Sequence, residues 1–274
     1  AVVVVGDVAG LRLGAARGGA LAGRRVVVTR ARAQASDLAS TLRAFGAEVV
    51  ELPAIRIVPV PGSPEIDAAL AAIGGYDVVV LTSANGVDCL FDRLAERGLD
   101  ARSLPAGATV VAIGPATAGR LEAHGVRPDV VPERFVAEGI LEALAGHDLA
   151  GSSVLVARAR EARPELVEGL RARGARVDEV VLYDTVAAPA SREEVEAALS
   201  SDYLTFTSSS TVRNFVGLLD GEGRRRAAGL RVVTIGPITS AAAREAGLPV
   251  HAEAEEFTVP GLVAALLADA ASSP

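Results

Sequence analysis

Apolar residues fall along this chain in short continuous runs separated by amphipathic stretches. Val26–Val28, Val78–Leu81 and Val110–Ile113 are aliphatic runs, mostly valine, which is how strands covered on both faces read. After the first run, Leu38, Leu42 and Phe45 share one helical stripe. Gly46 then stands where a glycine just past a helix end belongs. Leu166, Leu170 and Gly174 repeat that layout. Strands alternating with such helices predict parallel sheets joined by βαβ crossovers.

The pattern repeats itself at the level of residues. "GRRVVVTRARAQASDLASTLRAFGAEV" (23–49) pairs with "GSSVLVARAREARPELVEGLRARGARV" (151–177), so that Arg30 meets Arg158 and Gly46 meets Gly174. "YDVVVLTSANGVDCLFDRL" (76–94) pairs with "SDYLTFTSSSTVRNFVGLL" (201–219). "VVAIGPATAGRLEAHG" (110–125) pairs with "VVTIGPITSAAAREAG" (232–247), continuing to Phe135 against Phe257. The offsets are 128, 125 and 122 residues, in the same order. Three collinear matches mean two related halves. The fold class expected is α/β, with two similar small doubly wound parallel-sheet domains. The Pro-rich segments 51–65 and 179–193, each opening as a strand, are the hinge candidates, and a cleft between two domains is a common ligand site.

Composition narrows the choice of partner. Half of the 274 residues are apolar, only 3% are aromatic, and Trp and Met are absent, giving an aliphatic core. A net charge of −7 argues against a general nucleic-acid binder, while leaving room for an anion in a cleft with local Arg and N–H groups. The single Cys89 excludes an internal disulfide and a cysteine metal cluster. No apolar run is long enough for a membrane span, and the opening residues lack the layout of a signal peptide. The expectation is a cytoplasmic monomer without membrane or nucleic-acid partners.

In parallel sheets, ligands bind outside the carboxyl ends of the strands. Six such exits are "TRA" (29–31), "TSAN" (82–85), "GPAT" (114–117), "ARA" (157–159), "TSSST" (207–211) and "GPIT" (236–239). Helix starts there offer unpaired N–H groups and partial positive charge. Thr117, Ser83 and Ser208 either cap a helix or bind an anion. Arg30, Arg158, Arg160 and Arg163 are either solvated or hold carboxylates bidentately. Tyr183 in "VVLYDTV" either packs its ring on the linker or donates its phenol proton to an anionic oxygen. No nucleotide-binding glycine motif, nucleophile elbow or carboxylate pair stands at an exit. His124, His147 and His251 read as surface residues of helical or loop stretches.

With these residues assembled, "GRRVVVTRA", "VVLTSANGV", "VVAIGPATA", "VLVARAREAR", "GARVDEVVLYDT", "LTFTSSSTVRNF" and "VVTIGPITSAAAREAG" resemble the uroporphyrinogen-III synthase family across residues 22–270. The resemblance implies a lyase that takes the linear tetrapyrrole hydroxymethylbilane, loses water and closes the ring with the terminal pyrrole inverted. The proposed route runs through an azafulvene and a spirocyclic intermediate, with no cofactor or metal. It implies a discontinuous first domain, 21–55 plus 187–274, a second domain, 58–182, and two hinge strands paired between them. It places Tyr183 at loss of the hydroxyl. Substrate contacts would come from Thr29, Arg30, Thr82, Ser83, Ala84, Gly114, Thr117, Arg158, Arg163, Ser208, Ser209, Gly236 and Thr239. "RAREAR" departs from the family's Arg-Gly-x-x-Gly-Arg pattern by carrying Ala159 and Ala162 for the glycines. Ile238 replaces a second threonine.

Residues 1–20 lie outside that match. "AVVVVGDVAGLRL" looks like the last strand of uroporphyrinogen-III C-methyltransferase, and "GAARGGALAG" reads as a linker, so a remnant of a fused enzyme is expected. Functional coupling to hydroxymethylbilane synthase and to that methyltransferase would follow. Two other classes fit duplicated α/β halves. One is a non-catalytic two-domain binder of a polycarboxylate or tetrapyrrole, and the other is a regulatory relative.

Overall fold

A computed structural model describes residues 19–272 of the chain. The residues 1–18 behind the fused-enzyme expectation lie outside the described residues. Strand β1 (Arg25–Val28), helix α1 (Arg32–Ala44) and β2 (Glu48–Glu51) lead to β3 (Ile55–Pro59) and α2 (Pro64–Ala71). β4 (Val78–Leu81), α3 (Ala84–Ala95), β5 (Thr109–Ala112), α4 (Pro115–Ala123) and α5 (Ala137–Ala143) follow. Next are β6 (Ser153–Ala159), α6 (Glu165–Ala172), β7 (Arg176–Ala187) and α7 (Arg192–Leu199). The remaining described elements are β8 (Tyr203–Phe206), α8 (Ser209–Gly217), α9 (Gly221–Ala227), β9 (Arg231–Thr234), α10 (Pro237–Glu245), β10 (Val250–Glu253) and α11 (Val259–Ser272).

The chain forms two compact units, one from residues up to Arg56 together with those from Ala187 onward, the other from Ile57–Val186. In the first unit the strand order is β10-β9-β8-β1-β2, with every pair parallel. In the second unit the order is β3-β7-β6-β4-β5, parallel from β7 through β5. β3 runs the other way. Val60 N–H donates to Leu182 O and Ala188 N–H to Ala54 O, so stepping forward along β3 steps backward along β7. The sequence repeat is therefore divided between the sheets. β1 and β2 open the first repeat yet join β8 and β9, while β6 and β7 open the second and join β4 and β5.

Both sheets are covered on both faces, which is why their strands are runs of valine. Val79 and Leu81 pack into one cluster with α2 and α3, while Val78 and Val80 pack into another with α5 and α6. In the first unit Val27, Leu204 and Phe206 face α8, while Val26, Val28 and Tyr203 face α1 and α11. Each fully buried valine contributes on the order of 1.5–3 kcal/mol by leaving water. Gly46 and Gly174 close α1 and α6 with φ of 90° and 85°, the left-handed position that glycine adopts without a Cβ penalty.

The Gly-Pro turns owe their glycine to crowding. A Cβ on Gly114 would approach the Phe135 ring to 3.1 Å, and one on Gly236 would reach Phe257 at 2.8 Å. The repeated phenylalanines are the covers of the repeated turns. His147 and His251 are exposed as expected, but His124 is half-buried and His251 stands in a strand rather than a helix or loop. His124 stacks on Phe91 at 4.2 Å between ring centres, and His251 lies in β10, where its Nδ1 accepts Val232 N–H at 3.1 Å.

Candidate functional site

The strand exits of each unit gather polar groups, and the two gatherings differ in content. In the second unit, Ser83 caps α3 by accepting Gly86 N–H at 2.9 Å. Its hydroxyl also lies 2.7 Å from the Tyr183 phenol. Tyr183 reaches that place through an irregularity in β7. Arg158 pairs with Val181 but Ala159 pairs with Tyr183, so Leu182 is the extra residue of a bulge. Leu182 and Tyr183 consequently enter the same core cluster, which plain alternation forbids. Tyr183 is 4% exposed.

Burial holds the Tyr183 phenol above the ordinary tyrosine range, while its bonds to Ser83 and Asn85 pull it back. A phenol so placed stays protonated at neutral pH and acts as a donor. The other two tyrosines are committed to carboxylates, Tyr76 to Asp178 at 2.7 Å and Tyr203 to Asp269 at 2.9 Å. Asn85, two positions after Ser83, was legible in "TSAN" only as part of a polar exit, and its bond to Tyr183 needs the fold. Ala84 is the first residue of α3, and Thr82 Oγ1 stands 3.5 Å from Ala157 O.

The arginines at equivalent exits have unequal surroundings. Arg158 is 8% exposed, with Nη2 2.7 Å from Glu179 Oε1 and Nη1 donating to Arg163 O at 2.8 Å. Its charge is matched inside the unit by Glu179, although its buried Nε, like that of Arg30, has no hydrogen-bond partner among the described residues. Arg163 is exposed and paired with Glu138 and Glu165 at 3.3 and 3.4 Å. The "RAREAR" turn holds no positive-φ alanine, so its path does without the glycines of the family pattern.

In the first unit, Arg30 is Arg158's counterpart and Glu51 is Glu179's, in the same register against Val28 and Val156. Here Glu51 is taken by Arg43 at 2.8 Å. Arg30 makes no ion pair among the described residues, and its buried Nε has no hydrogen-bond partner there. Burial lowers its pKa, with only the charge of Asp37 acting the other way. That is a guanidinium short of an anion.

The hydroxyls also separate. Thr29 is fully buried and donates to Thr205 O at 2.8 Å, so its proton is spent inside the sheet. Ser208 caps α8 by accepting Thr211 N–H at 3.2 Å and meets Ser210 Oγ at 2.9 Å, with Ser209 next on the helix. Gly114 and Gly236 precede α4 and α10 without a side-chain cap. The threonines two residues beyond each proline, Thr117 and Thr239, are 3% and 4% exposed. Among the described residues, neither hydroxyl has a hydrogen bond, whereas the other buried Ser and Thr hydroxyls are bonded. Two unbonded hydroxyls beside uncapped helix starts suit hydrogen bonds to an anionic ligand. No helix among the described residues is long and apolar enough to cross a membrane.

A family model described as Uroporphyrinogen-III synthase HemD matches residues 36–264. The chain is 35% identical over 254 residues to the uroporphyrinogen-III synthase of Synechococcus elongatus, covering 90% of this chain and 95% of that one. It is 33% identical to the porphyrin biosynthesis protein HemD of Ruminiclostridium josui, covering 90% of this chain and 49% of that longer one. Among solved structures, a mutant uroporphyrinogen III synthase of Thermus thermophilus matches with a TM-score of 0.65 at 21% identity. That match covers 91% of this chain and all of that one. The Helicobacter pylori uroporphyrinogen-III synthetase matches with a TM-score of 0.59 at 18% identity, over 89% and 99% of the chains. The structures share the fold, and the sequence matches carry the kinship: this chain belongs to the uroporphyrinogen-III synthase family.

Proposed function

We propose that the chain is a lyase that dehydrates and cyclises hydroxymethylbilane to uroporphyrinogen III, inverting the terminal pyrrole. The observation that carries the chemistry is the Ser83–Tyr183 pair at 2.7 Å. A protonated phenol donates a hydrogen bond to the departing hydroxyl, lowering the barrier to the azafulvene. When Ser83 donates to the Tyr183 oxygen, the phenol proton is free for that leaving group.

The remaining residues act by positioning. The substrate carries acetate and propionate carboxylates, which suit Arg30 and the Thr117 and Thr239 hydroxyls, none of them paired among the described residues. Gly114, Gly236, Ala84 and Ser209 offer backbone N–H groups at helix starts. Thr82, Ser208 and Arg163 line the same exits. Thr29 and Arg158 serve mainly as the frame beneath them, because the Thr29 hydroxyl and both terminal nitrogens of Arg158 are already engaged. Holding one ring for closure in the inverted sense can contribute several kcal/mol of the barrier.

In this reading the working unit is a cytoplasmic monomer with domains 21–55 plus 187–274 and 58–182. Hydroxymethylbilane synthase supplies the substrate, and a fused or separate uroporphyrinogen-III methyltransferase consumes the product. The partial coverage of the Ruminiclostridium josui protein supports a module that occurs within longer chains. Incubating the protein with hydroxymethylbilane, oxidising the product and resolving the porphyrin isomers tests the assignment. Type III is expected, and type I alone, as forms spontaneously, would overturn it.

A further inference from the structure

The first turn of α10 is tied to the sheet by a chain of side chains that the second unit lacks. Thr234, at the end of β9, lies 2.6 Å from Ser240 Oγ, and both residues are fully buried. Ser240 Oγ donates to Glu253 Oε2 on β10. A carboxylate only accepts, so the order is fixed: Thr234 donates to Ser240, and Ser240 donates to Glu253. Three elements, β9, α10 and β10, are joined one residue away from Thr239.

Glu253 faces α10 because of a bulge. Val250 pairs with Val232 and Ala252 with Val233, leaving His251 as the extra residue. Val250 packs with the α10 cluster and Ala252 with the opposite one, so the bulge exchanges the faces and turns Glu253 toward α10. The His251 ring fills the gap in the ladder by accepting Val232 N–H. At the 122-residue offset, Thr234, Ser240 and Glu253 correspond to Ala112, Ala118 and Val131. The corresponding turn of the second unit therefore has no such tether.

We propose that Glu253 is a positioning residue, which through Ser240 holds the α10 turn so that the Thr239 hydroxyl stays presented to the substrate. This rests on the synthase reading and specifies what keeps one of its two threonine turns in place. A tethered turn in one unit and an untethered one in the other gives the substrate a fixed contact and a compliant one.

The test compares Glu253→Val, which installs the residue found at the corresponding position of the other unit, with Glu253→Gln, whose carbonyl still accepts from Ser240. Two readouts are taken: amide exchange at residues 238–240, and kcat and KM with hydroxymethylbilane. Glu253→Val is expected to speed exchange there and to lower kcat/KM several-fold, no more than Thr239→Val does, with Glu253→Gln recovering most of both. Glu253→Val combined with Thr239→Val is expected to be no worse than Thr239→Val alone. Unchanged exchange in Glu253→Val, no recovery by Gln, or penalties that multiply in the double variant would overturn the proposal. If the wild-type protein makes no type III product, the synthase reading fails, and the exchange measurement alone decides whether Glu253 holds the turn.

Discussion

The two units share one repeated sequence, yet their equivalent exits carry different side chains in different surroundings. At the 128-residue offset Arg158 answers to Arg30, Glu179 to Glu51, and Tyr183 to Ile55. In the second unit Glu179 neutralises Arg158, and the phenol of Tyr183 meets a helix cap. In the first unit Arg43 has captured Glu51, Arg30 makes no ion pair among the described residues, and buried Ile55 stands where the phenol would be. One unit offers a proton donor beside a neutral frame. The other offers a buried guanidinium with the charge of Asp37 acting on it and no ion pair among the described residues. Duplication supplied the scaffold twice, and in the proposed reaction a few side chains would divide leaving-group chemistry from carboxylate binding.

The largest effect is expected from removing the donor. Tyr183→Phe should lower kcat about 100-fold, the lower end of what a positioned proton donor contributes. Ser208→Ala, the corresponding cap in the unit without a phenol, should cost less than about threefold, read by isomer-resolved turnover. The phenol also sets an alkaline limit. Its pKa is raised by burial, so the stability it contributes is whole below the ordinary tyrosine value of about 10 and is lost as pH climbs through the raised one. Wild type should therefore lose more stability than Tyr183→Phe over that window in a denaturant titration.

The arginine pair sharpens the comparison through stability. Arg158→Ala strands Glu179 and should destabilise by about 2–3 kcal/mol, somewhat below a fully buried pair because Glu179 keeps some solvent contact. Arg30→Ala removes a guanidinium with no ion pair among the described residues and should shift the denaturant midpoint little in either direction. Equal losses would erase the distinction.

Smaller still are the threonine effects. Thr29→Val breaks a buried hydrogen bond and should cost about 1 kcal/mol. Thr117→Val and Thr239→Val remove unbonded hydroxyls and should leave the thermal midpoint unmoved while lowering kcat/KM several-fold.

Much of this architecture can be read from residue order alone. Valine runs marked β1, β4 and β5, Gly46 and Gly174 marked helix ends, and the Phe135–Phe257 match pointed at a shared feature, which proved to be the cover of each Gly-Pro turn. What stayed hidden depends on register. Arg30 and Arg158 look alike until β1–β2 and β6–β7 are laid side by side and Arg43 is found holding Glu51. The bulges at Leu182 and His251 reverse which face later residues occupy, and no periodicity announces them. Thr29 reads as an exit hydroxyl, but its proton turns inward to β8. The repeat likewise conceals that each half lends its first βαβ unit to the other's sheet.

The division of labour is tested most directly by the steady-state kinetics of Tyr183→Phe and Arg30→Ala measured side by side with hydroxymethylbilane. Tyr183→Phe is expected to lower kcat with KM nearly unchanged, and Arg30→Ala to raise KM about tenfold with kcat largely kept. Loss of kcat in both, or of substrate binding in both, would contradict that division.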